Sequence, residues 1–251
     1  MNEPSEDDIS HELRSFGRRR GRKISPRQQA LMTDLLPRIS LDPSRPPPAP
    51  LSKLFQAAMD APASPFPSPT TIPTSNIWLE IGFGGAEHLI WQAEHHPDVG
   101  LIGCEPFEEG VVKALTAIEE RRLANVRLYA DDARTILRWL PPASISRIFV
   151  LFPDPWPKRK HTKRRLINPA TVDLLAGVMK PGGELRIGTD IGDYVRTLLI
   201  ALASHPAFEW QAACPADWRI RPEDWPQTRY EQKALREGRR GYFFRFIRRH
   251  G

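Results

Sequence analysis

From Asn76 onward the chain switches repeatedly between two hydrophobic periods. The apolar stretches Ile77–Ile81, Val99–Cys104, Val126–Ala130, Ile148–Leu151 and Glu184–Gly188 are short, as strands covered on both faces are. Helical spacing fills the intervals, over Ala86–His96, Phe107–Leu123, Ala133–Leu140, Asn168–Met179 and Ile191–Ser204. Within Phe107–Leu123 the apolar positions 111, 114, 115 and 118 share one face. Asn168 before Pro169 is an N-cap followed by a proline at the first helical position. Lys180-Pro181-Gly182-Gly183 reads as a turn, and Phe208–Ala212 and Tyr242–Ile247 as two last strands. Alternating strands and helices imply a parallel sheet with helices on both faces. Right-handed crossovers make it doubly wound, with ligands at the carboxyl ends of the strands.

The first third has a different texture. Residues 1–25 are acidic and then basic, and the run Arg18-Arg19-Arg20-Gly21-Arg22-Lys23 repels itself. This predicts a disordered basic arm over 1–25, a phosphate-binding element or a solubilising tail. Residues 26–75 read as an N-terminal helix and a proline-rich linker. Ser25-Pro26 opens a short helix through Arg38. Ten prolines then fall between Pro43 and Pro73, with room for one helical turn around Leu51–Met59. Residues 76–251 form the main domain.

Composition narrows the partners. The net charge of +6 favours an acidic partner such as nucleic acid or anionic lipid. Cys104 and Cys214 are distant and in no metal-ligand spacing, which argues against a disulfide scaffold and against a metal site, and fits the reducing cytoplasm. The acidic start, Met1 to Asp8, lacks the apolar core of a secretory signal, and no apolar run is long enough to span a membrane.

One segment concentrates chemistry. Phe152-Pro153-Asp154-Pro155-Trp156-Pro157 follows the strand that ends at Leu151, and six Lys or Arg and one His lie between Lys158 and Arg165. Prolines keep their neighbours out of helix, so one carboxylate and one large aromatic sit on a stiff loop. A fixed acid beside an aromatic and a cationic strip suits chemistry on a base within a polyanion.

A second group of residues points to a cofactor. Leu79-Glu80-Ile81-Gly82-Phe83-Gly84-Gly85-Ala86 closes the first strand on a glycine turn, where Gly82 and Gly84 let backbone approach a ligand. The dinucleotide fingerprint wants Gly or Ala where this chain has Glu87, a poor neighbour for a pyrophosphate. Glu80 before the turn and Glu87 after it suit a cofactor with an amine and a sulfonium but no phosphate. Glu105 ends the second strand, where a carboxylate accepts two ribose hydroxyls. Asp132, after the third strand, is placed to accept from an adenine amino group. Each acid could instead cap the next helix; three in succession favour a shared site.

Together these residues resemble S-adenosylmethionine-dependent methyltransferases. Phe152–Trp156 with Lys158, His161 and Lys163–Arg165 narrows the resemblance to the bacterial tRNA (guanine-N7)-methyltransferase family. Leu79–Gly85, Glu105, Asp132-Ala133, Thr189-Asp190, Thr228-Arg229-Tyr230-Glu231 and Arg14-Ser15-Phe16 are similar to further family motifs. Ala86 stands where the family usually has glycine, Lys160 and Lys233 replace arginines, and Arg229 and Tyr230 are conservative changes. Lysine loses the bidentate contacts of arginine, which lowers the expected affinity for RNA.

The resemblance implies a doubly wound, Rossmann-like α/β methyltransferase fold. Its seven-stranded sheet would be mostly parallel, with a C-terminal antiparallel hairpin. The implied cofactor is S-adenosyl-L-methionine and the implied substrate a guanine N7 in tRNA, at position 46 of the variable loop. Glu80, Gly82, Gly84, Glu105, Asp132 and Asp154 are the expected cofactor residues, with Asp154 also catalytic. Lys158, Asp190, Thr228, Arg229, Tyr230 and Glu231 are the expected substrate residues. Trp156 either stacks on the base or packs under the loop; His161 either steadies the loop or touches substrate; Asp190 also reads as a helix N-cap. Lys163-Arg164-Arg165, Arg239-Arg240, Arg245, Arg248 and Arg249 read as phosphate-binding surface. A non-catalytic RNA-binding scaffold would keep the basic residues and lose the acids Glu80, Glu105, Asp132 and Asp154. The loop chemistry and Glu87 argue against an oxidoreductase, and the arginine clusters against a small-molecule methyltransferase.

Overall fold

A computed structural model of the chain describes residues 19, 21, 23–56 and 76–250. Most of the expected basic arm and the linker from 57 to 75 lie outside the described residues.

Strands β1 (Ile77–Ile81), β2 (Gly100–Cys104), β3 (Val126–Tyr129), β4 (Ile145–Leu151), β5 (Met179–Thr189), β6 (Phe208–Trp210) and β7 (Tyr242–Arg248) form one sheet. Their order is β3-β2-β1-β4-β5-β7-β6. The first five strands pair in parallel, while β7 runs antiparallel to both β5 and β6. This is the expected doubly wound α/β arrangement, with one amendment at its end. β6 and β7 are an antiparallel pair but not a tight hairpin, because residues 211–241 intervene and carry two helices.

The helices are α1 (Pro26–Ala30), continued through a π turn (Leu31–Leu35) into α2 (Leu36–Ile39), then α3 (Glu87–His95), α4 (Glu108–Arg121), α5 (Ala133–Trp139), α6 (Pro169–Val178), α7 (Gly192–Ala203), α8 (Ala216–Arg219) and α9 (Arg229–Arg236). Ser25 caps α1 in a reciprocal box with Gln28, and the Asn168 side chain accepts from the Thr171 amide at the start of α6.

Every residue of β1 is buried, the apolar Ile77, Trp78, Leu79 and Ile81 and also the acid Glu80 among them. On one face Leu89 of α3 and Val111 and Leu115 of α4 join Leu31 and Leu35 of the N-terminal helix. On the other, Ile136, Leu175 and Leu198 of α5, α6 and α7 pack against β1, β4 and β5. Each such side chain withdrawn from water contributes about 1.5–3 kcal/mol. Leu41 donates its amide to the Leu128 carbonyl at 2.9 Å, which covers part of the exposed edge at β3.

Several boundaries differ from the pattern. β4 starts at Ile145, three residues early. The turn expected at Lys180–Gly183 is an excursion inside β5: Met179 pairs with Ile145 and Glu184 with Arg147, so residues 180–183 face only Ser146. Gly182 turns the chain there at φ 77°. α3 begins at Glu87, because Ala86 sits at φ 66°, outside the helical region. That conformation favours glycine over a residue with a side chain. Two short helices, α8 and α9, had no apolar period long enough to be read.

Candidate active site

β1 is the switch point of the sheet: the chain winds out to β2 and β3 on one side and to β4 and β5 on the other. Such a point opens a crevice between adjacent carboxyl ends. Ile81 and Val150 are register partners, so the glycine turn after β1 and the Phe152–Trp156 loop after β4 leave the sheet side by side. A cavity of about 480 Å³ lies there. Glu80, Gly82, Gly84, Glu105, Asp132 and Asp154 all line it, together with Thr228 and Tyr230. Lys158, Asp190, Arg229 and Glu231 do not.

The glycine turn is tightly held. Gly82 and Gly84 adopt φ 73° and 54°. The Gly84 amide donates to Glu105 Oε2 at 2.7 Å, and the Phe107 amide to Glu105 Oε1 at 2.9 Å. A carboxylate oxygen accepts two hydrogen bonds, so each oxygen keeps capacity for a ligand. Burial pushes the Glu105 carboxyl up from its ordinary value, and the two amides hold it partly back. The ring of Tyr230 lies over the turn, 3.2 Å from where a side chain at Gly84 would begin. Burial raises the Tyr230 phenol, and the nearby carboxylates of Glu105 and Asp154 add to the rise. Glu80, at the end of β1, is buried and bonded to His88 of α3 at 2.7 Å.

Asp132 caps α5, accepting the Arg134 amide at 2.9 Å, and its other oxygen meets the Arg134 guanidinium at 2.7 Å. The capping reading of this acid therefore holds alongside its place in the cavity wall. Arg19, in the expected arm, pairs with the neighbouring Asp131 at 2.8 Å, and its carbonyl accepts the Glu108 amide at the start of α4.

The β4 loop is strained. Phe152 and Trp156 stand at φ 50° and 43°, a region that costs a bulky residue about 1–3 kcal/mol. The Phe152 amide is held by the Gly188 carbonyl at 2.7 Å. Asp154, between them, is exposed at the mouth of the cavity. Protein crowds its cavity side, and this loss of hydration raises its carboxyl above the ordinary value. Trp156 is half-buried and lines the cavity, with the Arg164 guanidinium 5.1 Å from its ring and His161 edge-on at 5.9 Å.

Arg165 departs from its reading as phosphate-binding surface. It is 1% exposed. Its guanidinium donates to the Pro155 carbonyl at 2.8 Å and is fixed by Thr197 and by the Asp193 carboxylate. Buried and bound to these acceptors, the side chain does not present its guanidinium to RNA. Lys158, Arg159, Lys160 and Lys163 remain exposed on the same strip.

The second wall also differs in detail. Asp190 is not an N-cap, since Ile191 holds that position; instead Asp190 binds Arg239 at 2.6 Å. Arg239, expected to meet phosphate, is shared between Asp190 and Glu237. Arg245 is likewise paired with Glu184. Thr228 caps α9 and accepts the Glu231 amide at 3.2 Å. Glu231 is buried; burial raises its carboxyl, and Arg221 at 3.2 Å opposes the rise. Arg229 is exposed and pairs with Glu87 at 3.3 Å. Sequence reading missed α9, although Thr-x-x-Glu at 228–231 is the signature of a capped helix. His88 and Arg221 carried no recognisable signal.

Among the described residues no helix is long and apolar enough to cross a membrane. Residues 74–244 match a family described as "Putative methyltransferase". A tRNA (guanine-N(7)-)-methyltransferase of Rhodospirillum rubrum is 46% identical over 98% of this chain and 90% of its own length. One from Brucella melitensis is 44% identical over 96% of this chain and 99% of its own. Among solved structures, an rRNA methylase from Streptococcus thermophilus has a TM-score of 0.46 at 12% identity, covering 71% of this chain and 90% of its own.

Proposed function

The chain belongs to the tRNA (guanine-N7)-methyltransferase family, and from that premise we propose that it moves the methyl group of S-adenosyl-L-methionine to N7 of a guanine in tRNA, at position 46 of the variable loop. The observation that carries the site assignment is the meeting of two strand ends. Asp154 at the end of β4 opens onto the same cavity as the glycine turn and the acids Glu80, Glu105 and Asp132.

The donor set fits a cationic, phosphate-free cofactor. Acids dominate the wall, and two of its arginines are already neutralised, Arg134 by Asp132 and Arg165 by Asp193. Glu105 has acceptor capacity for the ribose hydroxyls, Asp132 for the adenine amine and Glu80 for the amino-acid end. The turn at Gly82–Gly84 leaves backbone open to close approach. Bound there, the cofactor supplies an electrophilic methyl group on a sulfonium.

Guanine N7 carries a lone pair and no proton, so the reaction asks for no general base. It asks for alignment and for stabilisation of a base that becomes cationic. Asp154 meets both needs. Its carboxylate accepts the N1 and N2 hydrogens of guanine, and its fixed negative charge opposes the positive charge that develops on the ring. The strain at Phe152 and Trp156 is the cost of holding that acid at the cavity mouth. Tyr230 and Thr228 form the facing wall, and Lys158 and its exposed neighbours take adjacent phosphates. Asp190 and Glu231, held by Arg239 and Arg221, brace that wall from behind.

Functionally, 1–25 act as a basic arm, 26–75 as a connecting segment and 76–251 as the methyltransferase domain, working in the cytoplasm. A non-catalytic RNA-binding scaffold has no use for four acids around one cavity. The test is incubation of the full chain with unmodified tRNA and labelled S-adenosyl-L-methionine, followed by position-specific detection of 7-methylguanosine. Label at a single variable-loop guanine is expected; label elsewhere, or none, overturns the assignment.

A further inference from the structure

Glu80 and His88 both line the cavity, and from them runs a chain of buried polar groups whose members beyond Glu80 have no part in methyl transfer as described above. Glu80, His88 and Gln92 are 3%, 1% and 0% exposed. His88 Nδ1 lies 2.7 Å from Glu80 Oε2, and His88 Nε2 lies 3.1 Å from Gln92 Nε2. Gln92 Nε2 also lies 2.8 Å from the backbone carbonyl oxygen of Asp224. His88 and Gln92 stand four residues apart, on one face of α3.

The chemistry of these partners fixes the protons. A backbone carbonyl only accepts, so the amide nitrogen of Gln92, not its oxygen, must face Asp224. One hydrogen of that nitrogen goes to Asp224 and the other points at His88 Nε2, which therefore accepts. The ring's single proton sits on Nδ1 and is donated to Glu80. His88 is thus neutral: it orients the carboxylate without cancelling its charge, as an arginine would. Aromatic neighbours hold the ring in place, Phe149 edge-on at 4.5 Å and Trp225 at 6.4 Å.

We propose that His88 is a positioning residue for the methyl-transfer reaction. It fixes the Glu80 carboxylate toward the cationic end of the cofactor. Through Gln92 and the Asp224 carbonyl it ties that acid to the segment running into Thr228–Glu231, on the substrate side. The proposal rests on the reading of Glu80 as a cofactor acid. A glutamate already held in one rotamer loses less freedom when the cofactor binds, which is the gain of preorganisation. One donated hydrogen occupies a single lone pair of Glu80 and leaves the rest for the cofactor.

The test is calorimetric titration of the full-length protein with S-adenosyl-L-methionine, with thermal melts to confirm folding. His88→Phe keeps a ring and removes the donor; His88→Asn restores an N–H near the Nδ1 position. Affinity should fall about 10- to 100-fold in the Phe variant, the scale of a lost hydrogen bond to a charged group. The Asn variant should recover most of it, and Gln92→Leu should cost severalfold. On a Glu80→Gln background, His88→Phe should add nothing further. Equal affinities in the Phe and Asn variants would overturn the positioning role, as would full additivity with Glu80→Gln. Should His88→Phe not fold, wild-type affinity in the Gln92→Leu variant would overturn the relay. Wild-type affinity in Glu80→Gln itself would instead sink the reading of Glu80, and this proposal with it.

Discussion

The buried guanidinium of Arg165 donates to the carbonyl oxygen of Pro155, the residue after Asp154, at 2.8 Å. The same side chain reaches Asp193 and Thr197 of α7, so one arginine pins the strained loop to the helix that follows β5. Within a run of basic residues, this one serves the protein and not the RNA.

Replacing Arg165 with Lys keeps the charge and loses the planar fork. Single-turnover methylation should slow tenfold or more, on the order of the loss expected when a catalytic group is misplaced. The dependence of tRNA affinity on salt should not change, because no phosphate contact is lost. Lys163→Ala should do the reverse, with a shallower salt slope and a nearly normal rate at saturating tRNA. A shallower slope in Arg165→Lys would return Arg165 to the RNA surface.

Glu105→Ala removes a carboxylate that accepts two turn amides. Cofactor affinity should weaken by about 1–3 kcal/mol, and the fold should lose a similar amount because the Gly84 and Phe107 amides lose their acceptor. Calorimetric titration paired with chemical denaturation separates the two effects. A loss of stability with unchanged affinity would remove Glu105 from the cofactor site.

Arg239 and Arg240 are adjacent but should behave differently. Arg239 already faces Asp190 and Glu237, so Arg239→Ala should leave the salt slope of tRNA binding nearly unchanged and disturb turnover through Asp190. Arg240→Ala should flatten the slope by about one counterion. Filter-binding titrations from low to high salt check both.

The pH profile follows from burial. Asp154 and Glu105 both have raised carboxyl values, so each is protonated at higher pH than a free carboxylate. Activity needs both ionised. The single-turnover rate should therefore fall on acidification with a midpoint above about 4, the ordinary carboxylate range, and stay flat through neutral pH. Protonation of these two groups favours the folded state, so a melt at the same pH should not show loss of the fold driven by them. A rate still rising steeply through pH 8 would point to a base with another identity.

Much of this was legible in the sequence, for physical reasons. Strands β1 to β5 and helices α3 to α7 announce themselves through apolar period, and Asn168-Pro169 and Ser25-Pro26 through cap chemistry. The acids Glu80, Glu105, Asp132 and Asp154 fall at strand ends, where a doubly wound sheet collects its ligands. What sequence could not show was how charges pair across the fold. Arg165 and Lys163 look alike in a basic run; only burial against Pro155 separates them. Arg239 reads as a free cation until β5 and the α9 end bring it to Asp190. His88 has no local signal, since its partner Glu80 is eight residues back on another element.

The central claim is that Asp154 acts by its charge at the cavity mouth, and Asp154→Asn tests it most directly. The amide keeps the size of the side chain and loses the charge. The variant should fold, bind cofactor and retain much of its tRNA affinity. Single-turnover methylation at saturating cofactor and tRNA should fall about a hundredfold or more, the scale of a lost preorganised electrostatic group. High pH and added external base should not restore it, because N7 has no proton to remove. A near wild-type rate would make Asp154 structural and would contradict the account.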